Sequence, residues 1–301
     1  MMRGMLNATR RQFLAATTGA VSAGAVSASA AHHEKPKSVF HGVTIGAQSY
    51  SFRDRDVWAA IKSYHEIGIS MCELWSGHLE MGPDGKRRDR EDLRKWRETV
   101  DLAEVEKVGE GFRKAGVDLY ALNYSFRDDF SDAEIERGFE MAKAIGAKVL
   151  TASSNVTTAR RVDPIAKKHN IRVGMHNHSR IHHNEFATPA DFETAMKGTS
   201  HIAINLDIGH FTAAGFDPVS YLDERHDDIV TLHVKDRRRD QGANVKFGDG
   251  DTPIREVLRV LANRKSKIPA NIEYEYRLPD TMAEVRRCFE YCRAALLSRG
   301  V

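Results

Sequence analysis

Short alternating runs of apolar and polar residues recur along the chain, each followed by a stretch of helical spacing. The runs VTIGAQS (43–49), SMCELW (70–75), VDLYALN (117–123), AKVLTAS (147–153) and IRVGMHNH (171–178) read as strands. The sixth is centred on INLDIGH (204–210). There Ile204, Leu206 and Ile208 share one face, Asn205, Asp207 and Gly209 the other, and His210 falls just past the strand end. The seventh, IVTLHVKD (229–236), sets Val230, Leu232 and Val234 against Thr231, His233 and Lys235. The eighth is ANIEYEY (270–276). Helices are predicted at about 56–67, in one long element from the loop at Asp92 to Ala115, from Asp132 to Ile145, and up to Lys168. Four more follow at about 189–197, 217–225, 252–264 and 281–298.

Gly68, Gly116 and Gly146 each fall one or two residues before a strand, where a helix end needs the left-handed conformation. Eight strand–helix repeats in 301 residues predict an α/β fold, a single (β/α)8 TIM barrel, over an open doubly wound sheet. In such a barrel the active site collects at the carboxyl ends of the strands, on inward-pointing side chains. With the apolar faces turned to the helices, the inward set is Gln48, Glu73, Asn123, Ser153, His176 with His178, Asp207, His233 with Lys235, and Glu273 with Glu275. Every strand thus ends inward in a polar or ionisable group, which a purely structural barrel has little reason to bury.

Asp207 and His233 lie at equivalent depths of consecutive strands. A carboxylate–histidine hydrogen bond in a barrel mouth would explain that pair alone. Four such groups on the last four strands (His176, Asp207, His233 and Glu273) point instead to one divalent metal. Mixed N/O donors suit manganese, iron, cobalt or zinc over calcium. Such an ion can hold a carbonyl and a neighbouring hydroxyl and acidify the C–H between them. Glu273 or Glu275 is the candidate base, with Lys235 or His210 steadying the oxyanion.

The first residues change the domain picture. Thr9-Arg10-Arg11-Gln12-Phe13-Leu14 resembles a twin-arginine export motif; a weakly apolar run follows and ends in Ala28-Ser29-Ala30-Ala31, a small-residue cleavage pattern. The expected plan is a cleavable signal peptide at 1–31, a linker at 32–41, and the barrel at 42–301, in a periplasmic or exported protein. No second long apolar segment appears, so the mature form is expected to have no membrane contact. The net charge of +3 is small and partly carried by the first eleven residues, which argues against a nucleic-acid partner. GKRRDREDLRKWRE (85–98) is mixed in sign and reads as a solvated loop entering a helix; RRRD (237–240) reads as an exposed loop or, second, an anion contact. Cys72, Cys288 and Cys292 have no framework spacing and read as buried thiols.

The stretches GAQSYSF, CELW, MHNHS, INLDIGH, HVKD, FGDGD and NIEYE resemble the xylose-isomerase-like TIM barrels, the sugar phosphate isomerase/epimerase superfamily, across nearly the whole mature chain. The likeness is to tagatose 3-epimerase and inosose dehydratase relatives, and especially to exported members of unassigned substrate. It implies a small sugar substrate and a metal held by Glu, Asp, His and Glu. Asp207, His233 and Glu273 match the last three, while His176 stands where the first Glu belongs, with His178 as the alternative ligand. His210 matches a substrate-hydroxyl contact, and Gln48, Glu73, Asn123, His178 and Glu275 complete the expected substrate side. The family's epimerases use the first and last metal glutamates as an acid–base pair, so two-base epimerisation is expected to fail here unless His178, Glu185 or Glu73 substitutes. Isomerisation, dehydration or β-elimination from a 3-keto sugar needs one base. Two rivals stand beside the metal-dependent isomerase or epimerase. One is a non-catalytic sugar-binding barrel. The other is an AP-endonuclease-like phosphodiesterase, disfavoured because the second and third strands end in Glu73 and Asn123, with only His78 nearby in a loop.

Overall fold

Gln48 faces Glu73 across one parallel pairing, while Ala47 faces Ile272 across the other. Those two ladders close the sheet in the computed structural model, which describes residues 35–82 and 84–298. The barrel strands are β1 (Val43–Gln48), β2 (Met71–Trp75), β3 (Asp118–Asn123), β4 (Val149–Ala152), β5 (Arg172–His176), β6 (Ile202–Asp207), β7 (Ile229–Val234) and β8 (Ala270–Ile272). All eight run parallel, each paired with its sequence neighbours, and β8 returns to β1. The predicted TIM barrel is therefore the observed fold. The expected signal peptide lies outside the described residues. Val39–Phe40, within the stretch read as a linker, adds an antiparallel pair to β1. Among the described residues no helix is long and apolar enough to cross a membrane.

Alternation puts Val43, Ile45, Ala47, Leu74, Leu206 and Leu232 on the helix side, all without exposure. Their burial against the helices is worth roughly 1.5–3 kcal/mol for each large aliphatic side chain. Helix starts are capped by side chains that the sequence places one residue ahead: Asp56 accepts from the Ala59 N–H, and Ser131 forms a reciprocal capping box with Glu134. The helix ends at Gly68 and Gly146 take φ of 95° and 83°, as their positions predict.

The lumen is layered. Ala121, Val149, Ala203 and Val230 form an apolar floor with Tyr120 against it. Above lie Glu73, Thr151, Asn205, Thr231 and Asn271, all fully buried, and above these the site residues. Val230 corrects its predicted outward facing. The β6–β7 register jumps from Ile204↔Ile229 to Asn205↔Thr231, and this bulge turns Val230 into the lumen. Gly174 makes room for it, because a Cβ there would meet Val230 Cγ2 at 2.7 Å.

Three other expectations change. The long helix before Ala115 is two, Arg90–Thr99 and Leu102–Lys114, because Val100 leaves helical geometry and Asp101 caps the second. His78 is not loose. It sits buried in the short helix Gly77–Glu80 with Nδ1 2.9 Å from Ser49 Oγ. The alternation of INLDIGH does not continue as strand: β6 stops at Asp207 and Ile208–Ala213 is helical.

Candidate metal centre and active site

Asp207 ends β6 because its side chain serves the next element. Its Oδ1 accepts the His210 N–H at 2.7 Å, capping the helix Ile208–Ala213. That turn brings the His210 ring back over the barrel mouth. Asn177 pins the neighbouring strand end: its Oδ1 accepts from the Asp207 N–H (2.9 Å) and its Nδ2 donates to the Asp207 carbonyl (3.1 Å). Asp207 Oδ2 is left facing inward, 3.3 Å from His176 Nε2.

One donor atom each from His176, Asp207, His233 and Glu273 lies within 4.8 Å of all the others, and all four residues are buried. Glu273 Oε2 is 3.1 Å from His233 Nδ1 and 3.9 Å from His176 Nε2. The far side of each imidazole is also held. Ser153 Oγ lies 3.3 Å from His176 Nδ1, and Glu73 Oε1 lies 2.8 Å from His233 Nε2. With Glu73 holding its Nε2–H, His233 presents Nδ1 to the cluster, the nitrogen it would offer to a metal once deprotonated. Asn205 Nδ2 lies 3.1 Å from the same Nε2. Two imidazoles and two carboxylates so oriented fit a first-row divalent metal.

The electrostatics are those of buried, mutually compensating charges. Burial opposes ionisation of Asp207, but Lys235, His210 and His176 outweigh it and hold the carboxyl well below its usual range. Glu273 is lowered likewise, burial being overcome by Lys235 and His233. Lys235 is 2 % exposed, and its ammonium lies 2.9 Å from Asp207 Oδ2 and 2.6 Å from both Glu273 Oε2 and Glu275 Oε2. Burial would discharge it, yet these three carboxylates raise its pKa. His233 is raised well above the ordinary imidazole value, burial being outweighed by Glu73 and Glu273 on either side. His178 is pushed down to about 3 by burial, then by His176 and Lys235; His210 is also depressed, by burial and Lys235. Gly209 allows the lysine to lie where it does, since a Cβ there would stand 2.4 Å from Lys235 Cγ and 2.7 Å from its carbonyl oxygen.

The cluster opens into a cavity of about 210 Å³. Of the expected residues, Gln48, Asn123, His176, His178, His210, His233, Lys235, Glu273 and Glu275 line it. Glu73 does not. It is fully buried beneath His233, bonded also to Thr151 Oγ1 (2.7 Å) and Asn271 Nδ2 (3.3 Å), which corrects its expected place on the substrate side. His178 lines the cavity but is not among the four converging donors, and Glu185 does not line it. Tyr50, Trp75, Ser125 and Arg237 escaped the sequence reading. Tyr50 and Trp75 line the cavity as an edge-on pair with ring centroids 5.1 Å apart, signalled only by their places just past the end of β1 and at the last residue of β2. Arg237 is buried rather than part of an exposed loop, and its Nη1 lies 2.6 Å from His210 Nδ1. Its neighbours Arg238, Arg239 and Asp240 are exposed, as expected. Asp236 beside it is also buried and accepts backbone N–H bonds from Gly248, Gly250 and Thr252, which accounts for the FGDGD loop.

No curated protein matches the chain. Among solved structures, 3-keto-D-glucoside 4-epimerase YcjR from E. coli is similar over 84 % of this chain and 99 % of its own, at 16 % identity and a TM-score of 0.64. The probable 3-DHS dehydratase AsbF from Bacillus anthracis is similar over 86 % and 100 %, at 14 % identity and 0.63. A sugar phosphate isomerase/epimerase from Parabacteroides distasonis is similar over 85 % and 96 %, at 17 % identity and 0.63. At such identities the likeness is one of fold. The family match is independent of them: residues 61–293 match the family described as xylose isomerase-like TIM barrel. With most of its length covered by that match and its strands closed into the same barrel, this chain belongs to the xylose isomerase-like TIM barrel family.

Proposed function

We propose that the protein is a divalent-metal-dependent enzyme that abstracts a proton next to a carbonyl of a sugar or keto-sugar. The carrying observation is the convergence of His176, Asp207, His233 and Glu273 within 4.8 Å at the carboxyl ends of β5–β8, beside the buried Lys235. A bound manganese, zinc, cobalt or iron dication would supply Lewis-acid stabilisation of an enolate-like oxygen. The other roles fall to the chain itself. Glu273, held ionised, is the base and takes the C–H proton. Lys235 sets its positive charge beside the oxygen that gains charge, and its link to Glu275 holds the ammonium in place. Tyr50 and Trp75 offer an aromatic wall for the apolar face of a sugar ring.

Among the described residues the carboxylates that line the cavity are Glu273 and Glu275, which project from one strand end. His176 supplies none opposite them, Glu73 is sealed below, and Glu185 lies off the cavity. This one-sided placement favours one-base chemistry, aldose–ketose isomerisation or β-elimination from a keto-sugar, over two-base epimerisation. Among its structural relatives the name of the 3-keto-D-glucoside 4-epimerase supports a keto-sugar substrate and that of the dehydratase supports an elimination, without choosing between these. Export through the twin-arginine route belongs to the same proposal and rests on residues 9–31.

The test is solvent deuterium incorporation by the metal-loaded protein into a panel of ketoses, aldoses and 3-keto-glycosides, followed by NMR. Exchange at a carbon next to the carbonyl is expected for at least one class. Saturable sugar binding with no exchange in any class would replace the enzyme reading with that of a sugar-binding barrel.

A further inference from the structure

His210 meets a cationic donor at each ring nitrogen: Arg237 Nη1 at 2.6 Å from Nδ1 and Lys235 Nζ at 3.1 Å from Nε2. A neutral imidazole accepts at one nitrogen and donates at the other. From this conflict we infer that Arg237 is a positioning residue that fixes His210 as the Nε2–H tautomer and so makes it a hydrogen-bond donor into the cavity, never a base. The inference rests on the proposed function only in treating the cavity as a ligand site.

A guanidinium keeps its protons and accepts nothing, so Nδ1 has to be the acceptor. Arg237 cannot turn away. Nε and Nη2 both donate to the Gly242 carbonyl, at 3.1 and 2.6 Å, and Nη1 also donates to Ser179 Oγ at 2.8 Å. The fork is thereby fixed in plane, with its remaining Nη1 hydrogen on His210. The charges acting on Arg237 are Asp207, Glu275 and Arg180, and none of the carboxylates is bonded to it. Lys235 then has no acceptor at Nε2. Its three N–H groups match the three carboxylate oxygens of Asp207, Glu273 and Glu275. His210 Nε2 lies 3.9 Å from both Asp207 Oδ2 and Glu275 Oε2, beyond hydrogen-bond reach. Its proton is therefore free for an oxygen of the ligand, a hydroxyl or carbonyl that accepts.

The full-length protein, labelled with ¹⁵N and loaded with diamagnetic zinc, would be studied by long-range ¹H–¹⁵N correlation, with His210 assigned from its loss in His210→Asn. An unprotonated Nδ1 and a protonated Nε2 are expected. An Nδ1–H tautomer in the wild type would refute the inference by itself, without any variant. Arg237→Met should then shift His210 to a tautomer mixture or to Nδ1–H, while Arg237→Lys, which keeps a donor, should restore Nε2–H at least in part. A His210 signature unchanged in Arg237→Met would also overturn it. Should Arg237→Met not fold, Ser179→Ala and the wild-type spectrum still decide, since Ser179→Ala is expected to leave Nε2–H intact. None of these readouts depends on turnover, so their failure is separate from failure of the proposed chemistry.

Discussion

Glu73 Oε1 lies 2.8 Å from His233 Nε2, on the opposite side of the ring from Glu273, whose Oε2 is 3.1 Å from Nδ1. One carboxylate thus aims the imidazole and the other shares its working nitrogen. Glu73→Gln keeps the shape but can present an N–H to Nε2 and so favour the wrong tautomer. Loss of such a partner typically weakens metal binding about 10–100-fold. Competition titration with a chelator should show that loss with far-ultraviolet circular dichroism unchanged; equal affinity would remove Glu73 from the metal's support.

Asp207 has two duties, and two variants separate them. Asp207→Ala removes both the candidate metal ligand and the cap on Ile208–Ala213, the latter costing about 1 kcal/mol. Asp207→Asn retains an oxygen for the His210 N–H. Elemental analysis should find stoichiometric metal in neither variant, while Asp207→Asn melts closer to the wild type. Full metal occupancy in Asp207→Ala would show that the ion binds elsewhere.

Glu273→Gln, studied with excess metal to refill the site, should lower isotope exchange by about 10²–10⁴-fold, the usual effect of removing a general base. Glu275→Gln should chiefly weaken sugar binding, because Glu275 lies nearer the mouth and is less buried. Exchange at the wild-type rate in Glu273→Gln would move the base to another residue.

His178 sets a pH limit. Its pKa falls from an ordinary 6.5 to about 3 on folding, through burial and the nearby His176 and Lys235. The unfolded chain therefore binds this proton more readily than the native one. The stabilising contribution is complete above about pH 6.5 and is lost as the pH drops toward 3. Urea titrations across that window should show a shallower acid decline for His178→Asn than for the wild type. Parallel curves would mean that His178 is protonated at the same pH in both states.

Replacing Arg10 and Arg11 by lysine should leave uncleaved precursor in the cytoplasm, as immunoblots of cell fractions would show. Unchanged export of that variant would assign the first residues another role.

The fold was legible because each strand carries its own parity and each helix its own stop. Asp207, His233 and Glu273 could be placed together since inward facing and strand end both follow from a period of two. Height within the lumen could not. Glu73 has the right parity, yet it lies one layer below the cavity, a matter of barrel stagger that no single strand records. Val230 and Ile208 misled for local reasons. A bulge adds a residue without altering composition, and a helix can begin inside an apolar–polar alternation when an aspartate is there to cap it. Arg237 was hidden because a basic triplet reads as solvated. Only the tertiary arrangement of Ser179, Gly242 and His210 shows that its first member turns inward.

Gly209 gives the site its narrowest mutational allowance. Even alanine there would press on the Lys235 side chain at 2.4 Å and on its backbone at 2.7 Å, and the backbone cannot step aside as a flexible tip could. A saturation library at this codon, screened for retained chemistry, should return glycine alone, although the residue does not line the cavity and carries no functional group. An engineer reshaping the pocket for a different sugar would do better to vary Tyr50 and Trp75, which wall the opening without bearing on the lysine's seat.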